Sequence, residues 1–106
     1  MPKRAAIIWT TPALDSLIEI VSHIKLDHSS AAQRFATTIK TKVTRLHEFP
    51  ESGRKVPEFP SSDLREILVQ DYRVIYQIRQ SPLRVEILAV RHGARLLQLP
   101  SEESSS

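Results

Sequence analysis

The chain has 106 residues, a formal net charge of +3, seven prolines, two glycines and no cysteine. That length suits one domain with a single modest core, and the missing cysteines exclude disulfides and thiolate metal sites. No apolar run is long enough to cross a bilayer, and Lys3 and Arg4 precede no apolar segment of signal-peptide type.

In chain order, Ala5 to Trp9 reads as a short first strand. Thr10 or Thr11 is placed to cap a helix, with Pro12 in its first turn. Leu14, Leu17, Ile18, Val21 and Ile24 then recur at helical spacing. Lys25 to His28 forms a break, and Ser29 or Ser30 caps a second helix. Its stripe is Ala32, Phe35, Ala36, Ile39, Val43 and Leu46, and Pro50 ends it. Two amphipathic helices with a short link make a helical hairpin whose apolar stripes must cover something.

Glu51 to Ser62 contains Pro57, Pro60, Gly53 and three serines, and reads as a loop carrying Arg54 and Lys55. Three β-rich runs follow: Leu64–Val69, Tyr72–Ile78 and Val85–His92. Gln70-Asp71 and Gln80-Ser81-Pro82 are short enough for hairpin turns. Leu88 and Val90 break strict alternation, which predicts a last strand apolar on both faces. The segment from 99 to 106, rich in serine and glutamate, has no apolar periodicity and reads as a disordered tail. The expected class is α+β, in one domain over residues 1–98. A short N-terminal strand and a helical hairpin precede a three-stranded antiparallel meander, and the first strand adds to the same sheet.

Arginines recur where plain strands would be apolar or neutral: Arg65, Arg73, Arg79, Arg84 and Arg91. Alternation puts Val74, Tyr76 and Ile78 on one face, and Arg73, Ile75, Gln77 and Arg79 on the other. The second set predicts an open working face suited to an acidic partner or a phosphate backbone. Arg65 and Glu66 are candidates for a cross-strand ion pair. Arg91, His92 and Arg95 follow at the end of the last strand beside Gly93. His92 is open to two readings, a general base among cations or an ordinary exposed strand end. His23, His28 and His47 have no ligand spacing for a metal, and no glycine-rich phosphate loop exists, so no cofactor is expected.

These motifs together resemble the RelE/ParE superfamily of bacterial type II toxins. The resemblance rests on Tyr72-Arg73-Val74-Ile75-Tyr76, the preceding Arg65-Glu66, and Ile87-Leu88-Ala89-Val90-Arg91-His92. Pro50-Glu51-Ser52-Gly53-Arg54 and the Trp9-Thr10-Thr11-Pro12-Ala13-Leu14-Asp15 junction extend it, so that it spans roughly Ile7 to Leu97. It implies the toxin of a plasmid-stabilisation-like toxin–antitoxin pair, cytoplasmic, without membrane contact and neutralised by a cognate antitoxin protein. Arg54, Arg65, Arg73, Arg79, Arg91 and Arg95 are then the residues expected to meet antitoxin or target.

The superfamily implies one of two activities. RelE-like members cleave messenger RNA on the ribosome, using an arginine on the Tyr-Arg strand, basic residues past the last strand, and in many cases a late tyrosine or histidine. This chain has Arg73, but Gly93 falls where a nuclease arginine is expected, and no tyrosine follows Tyr76. ParE-like members block DNA gyrase without catalysis, and the Pro-Glu-Ser-Gly-Arg loop and late Arg-His segment resemble theirs. The expectation is therefore a gyrase inhibitor. The alternative is a ribosome-dependent ribonuclease with Arg73, His92 and Arg95 as its active groups.

Overall fold

The computed structural model describes residues 4 to 93. Strand β1 (Ala6–Trp9) leads into helices α1 (Thr11–Asp27) and α2 (Ser29–Thr44). Strands β2 (Arg54–Lys55), β3 (Arg65–Val69), β4 (Tyr72–Arg79) and β5 (Arg84–His92) follow. They form one sheet in the order β1-β5-β4-β3-β2. Strand β1 lies parallel to β5, while the β2–β3, β3–β4 and β4–β5 pairings are antiparallel. The α+β class and the meander are as expected, and β1 joins the sheet.

The sheet has one strand more than the sequence predicts. Arg54 and Lys55, inside the expected loop, pair with Glu66 and Arg65. Two residues cannot carry an alternation pattern, so only their neighbour on β3 makes them a strand. The hairpin is also tighter than expected. Helix α1 runs to Asp27, and the break is His28 alone, in an extended conformation with φ −147° and ψ 96°. His28 is the N-cap of α2, in place of the expected serines. Helix α2 stops at Thr44, and a short 3-10 turn over Arg45–His47 replaces its expected last turn. Thr10 does precede α1, but its hydroxyl donates to the Ile87 carbonyl at 2.7 Å and makes no cap bond. That bond and the Thr10 amide bond to the same carbonyl fasten the strand-to-helix junction to β5.

Both helices lie on one face of the sheet. The dry core joins Ala13, Phe35, Ile39, Val43 and Leu46 to Val69, Val74, Tyr76, Val85, Ile87 and Val90. The α2 stripe is buried as expected, with Phe35 and Leu46 fully enclosed. The α1 stripe is displaced: Leu14 and Ile18 are 42% and 62% exposed. Its packed face is Ala13, Leu17, Ile20, Val21 and Ile24. Helix α1 is apolar over more than one stripe, and packing against the sheet selects between them.

The expected two-faced β5 is corrected by a bulge. Ile75 pairs with Ala89 and Tyr76 with Ile87, so Leu88 is the extra residue. The irregularity resets the alternation: Val85, Ile87 and Val90 all enter the core, whereas Glu86, Ala89 and Arg91 share the other face. Gln70, with φ 55°, makes the two-residue β3–β4 turn. The Gly93 amide closes on the Asp71 carbonyl at 2.6 Å, tying the end of β5 to that turn.

Candidate functional site

Alternation on β3 and β4 sends Glu66, Leu68, Arg73, Ile75, Gln77 and Arg79 to the face away from the helices, as predicted for the β4 residues. One end of this face is not open. Arg73 is 4% exposed and Ile75 2%, and neither belongs to the helix-side apolar cluster in which Val74 and Tyr76 lie. The segment after β2 reaches this end, because Glu58 lies on it and contacts Arg73.

The result is a chain of four alternating charges. Arg54 donates from Nε to Glu66 Oε2 at 2.7 Å, with Nη2 at 2.6 Å from the same oxygen. Arg73 donates from Nε to Glu66 Oε1 at 2.7 Å. It then grips Glu58 bidentately, Nη1 to Oε2 at 2.7 Å and Nη2 to Oε1 at 2.6 Å. The Glu66 side chain is wholly buried and that of Arg73 only 5% exposed, whereas Arg54 stands 57% exposed. The hydrogen bond to Glu58, foremost, and those to Glu66 raise the Arg73 pKa above the ordinary arginine value, against the opposing effect of burial. Arg54 is thus the cation at the solvent end of this chain. The Arg65–Glu66 pair expected from sequence does not form: neighbours on a strand point to opposite faces. Arg65 instead donates to the carbonyls of Gly53 and Glu51, at 2.8 and 3.3 Å.

The 50–54 segment is positioned by Tyr76. Its phenol donates to the Pro50 carbonyl at 2.7 Å and accepts from the Gly53 amide at 2.9 Å. A Cβ on Gly53 would collide with the Tyr76 oxygen and the Glu66 carbonyl, so only glycine fits here. Burial, the larger influence, raises the Tyr76 pKa, and the Gly53 hydrogen bond opposes it.

Farther along the face, Arg79 and Arg84 converge on Glu86, at 3.4 and 3.2 Å. At the end of β5, Arg91 and His92 are exposed. The His92 ring lies edge-on to Tyr72, centroids 5.4 Å apart at 80°, and Tyr72 in turn packs on Phe35. A cleft between α1 and this strand end is lined by Glu19, His23, Tyr72, Arg91 and His92. Arg95 and the tail expected from 99 to 106 lie outside the described residues.

The structure therefore brings Arg54 and Arg73 into one network and pairs Arg91 with Arg73 across β5 and β4. It sets His92 between two clefts, one shared with Arg91 and His23 and one with Arg54 and Arg73. Sequence reasoning missed Glu58, which lies in a proline-rich loop with no periodicity to orient it, and His23 and Glu19, whose helix gave them no visible partner. It named Glu66 with the wrong arginine. Among the described residues, no three His, Cys, Asp or Glu side chains are grouped to hold a metal ion. None of the described helices is long and apolar enough to cross a membrane.

This fold is shared with solved toxin structures. The chromosomal ParDE toxin–antitoxin system of P. aeruginosa contains a chain that superposes with a TM-score of 0.70 at 16% identity, covering 84% of this chain and 96% of that one. The RelBE2 toxin–antitoxin complex of Mycobacterium tuberculosis gives 0.60 at 20% identity, over 84% and 98% of the two chains. A mutant of the E. coli toxin RelE in the free state gives 0.58 at 19%, over 86% and 85%. The sequence itself matches the model of the ParE toxin of type II toxin–antitoxin systems over residues 7–97. It is also 37% identical over 93 residues to the toxin RelE2 of Caulobacter vibrioides, covering 87% of this chain and 99% of that toxin. These sequence matches place the chain among the toxins of the RelE/ParE superfamily. Within it, the chain belongs to the ParE toxin family of type II toxin–antitoxin systems.

Proposed function

We propose that this toxin acts on DNA gyrase by binding, without catalysing a reaction, and is neutralised by a cognate antitoxin protein. The observation that carries this reading is the state of Arg73. Cleavage through a 2′-hydroxyl needs cations directed at the developing phosphorane charge and a group to take the proton. The guanidinium on the Tyr-Arg strand is turned inward and clamped between Glu58 and Glu66, so its charge is already matched within the protein. Gly93 at the position where a nuclease arginine is expected supports the same reading.

Binding alone needs only an exposed surface, and Arg54, Arg79 and Arg91 are exposed on the described sheet. An antitoxin segment folding on contact would cover the apolar side chains Leu14 and Ile18 of α1 and bring carboxylates to these arginines. Relatives of the same fold are found in ParDE and RelBE2 toxin–antitoxin systems, which supports the antitoxin partner.

The ribonuclease alternative, with ribosome and messenger RNA as partners, has its own support in the RelE2 relative and in the placement of His92 beside Arg91. Purified toxin, assayed on gyrase supercoiling and on ribosome-bound message, separates the two. Inhibited supercoiling with intact message is expected, graded across His92→Ala, Arg54→Ala and Arg95→Ala. Message cuts abolished by His92→Ala or Arg73→Ala, with gyrase unimpeded, would replace the gyrase reading by the nuclease one. Normal growth of cells strongly expressing folded protein would count against an active toxin of either kind, and restored growth on co-expression with the neighbouring reading frame would identify the antitoxin.

A further inference from the structure

The two helices of the hairpin carry opposite charge. Helix α1 holds Asp15, Glu19 and Asp27 against Lys25 alone. From Ser29 to His47 there is no carboxylate, and Arg34, Lys40, Lys42 and Arg45 are all exposed. The apolar stripe of α2 is spent on the core, so its outward face consists of these cations with Gln33, Thr37, Thr41 and Thr44 between them. Gln33, Arg34, Thr37 and Thr38 line a shallow groove along the helix. A second groove brings Lys42 and Arg45 to Arg54 across Ser52 and Gly53, continuing the cationic run from α2 onto β2. The Lys42 ammonium is fixed there by the Leu68 carbonyl at 3.1 Å.

We propose that the outward face of α2, extended by Arg54, binds the phosphate backbone of a nucleic-acid duplex without reading its sequence. Cations interleaved with hydroxyl and amide donors match phosphate oxygens, which take most protein–DNA hydrogen bonds and carry no sequence information. Arg34 to Arg45 spans roughly 17 Å of helix axis, at 1.5 Å per residue. That run faces about five phosphates along one duplex strand. An acidic peptide is the poorer fit, because a segment that folds on contact must bury apolar surface. None of the large exposed hydrophobic side chains among the described residues falls between Ser29 and His47. The exposed face of α2 also lacks an aromatic ring on which an unpaired base would stack. The surface shares with the Arg73 network only its solvent-end member Arg54, whose partner Glu66 also lines the second groove. The proposal does not depend on whether gyrase or message is the target.

The test is fluorescence anisotropy of the full chain with a labelled duplex of arbitrary sequence over a series of salt concentrations, with circular dichroism confirming the fold of each variant. Affinity should fall linearly with salt on logarithmic axes. The triple change Arg34→Gln, Lys40→Gln, Arg45→Gln should reduce that slope by about 0.9 for each phosphate that is no longer neutralised. Lys25→Gln, on α1, should leave it unchanged. No salt-dependent binding, or a slope indifferent to the triple change, would overturn the proposal. So would a labelled polyglutamate peptide bound more tightly than the duplex and released by the same triple change, which would assign the face to an acidic protein. None of these readouts uses cell growth, so they stand apart from the question of toxicity.

Discussion

The two faces of the sheet bury their side chains by different means. Under the helices, Phe35, Ile39, Val74, Tyr76 and Ile87 are excluded from water by non-directional apolar packing. On the opposite face, Glu66 and Arg73 are excluded almost as completely, yet only because each charge meets a partner at 2.6–2.7 Å. The first kind of burial tolerates any apolar residue of suitable volume. The second fails as soon as one member is removed, since the remaining charge is left dry and under-compensated. A charged network of this kind therefore specifies the path of the 54–58 segment more than it adds net stability.

That contrast is open to a graded series of measurements. Ile39→Asp places an unpaired carboxylate in the apolar core and is expected to cost more than about 4 kcal/mol, abolishing the cooperative thermal transition. Glu66→Ala deprives Arg73 of its wholly buried partner, and an expected loss of about 3–5 kcal/mol should show in denaturant titration. The double change Glu66→Met, Arg73→Met should cost less than Glu66→Ala, because it takes both buried charges out of the network together. A double variant less stable than the single would mean that the ion pairs themselves hold the face together.

Tyr76→Phe keeps the ring in the core and removes both hydrogen bonds to the 50–54 segment. It leaves the buried Gly53 amide without its partner, a cost of about 1–3 kcal/mol readable in the same titration. It should also change the alkaline limb. The Tyr76 pKa is raised in the folded state, so its contribution is complete below about pH 10 and is lost as pH rises through the folded value. The smallest effect belongs to Glu86. The hydrogen bond from Gln77, then those from Arg84 and Arg79, lower its pKa below the ordinary carboxylate value. Its contribution is present above the unfolded pKa and lost as pH falls toward the folded one. Glu86→Gln should lower stability slightly near neutrality, and the difference from the parent protein should close as pH falls below about 4.3.

Much of the fold was legible from local pattern. The 3.6-residue stripe of α2 and the period-2 alternation of Tyr72 to Arg79 each point one face at the core. Those faces do lie under the helices, although Arg73 and Ile75 on the opposite face of the strand are buried as well. Local pattern failed where two answers were equally apolar or where no pattern existed. The stripe of α1 shifted toward Ala13, Leu17 and Ile20 because its apolar residues cover more than half a turn. The bulge at Leu88 reads in sequence as a two-faced strand, since an inserted residue and a change of environment produce the same letters.

The sequence by itself determined the class of the protein: helix and strand periods, turn residues and the order of short motifs are properties of neighbouring residues. It also placed Arg73, Ile75 and Gln77 together away from the core, because alternation follows from backbone geometry alone. Only the tertiary structure decided what Arg73 meets. Its partners Glu58 and Glu66 stand 15 and 7 residues away in the chain, and no local rule relates a loop carboxylate to a strand guanidinium. The charge that marked Arg73 as a working group in the sequence is, in the folded protein, neutralised by carboxylates that the strand register and the path of the loop bring to it.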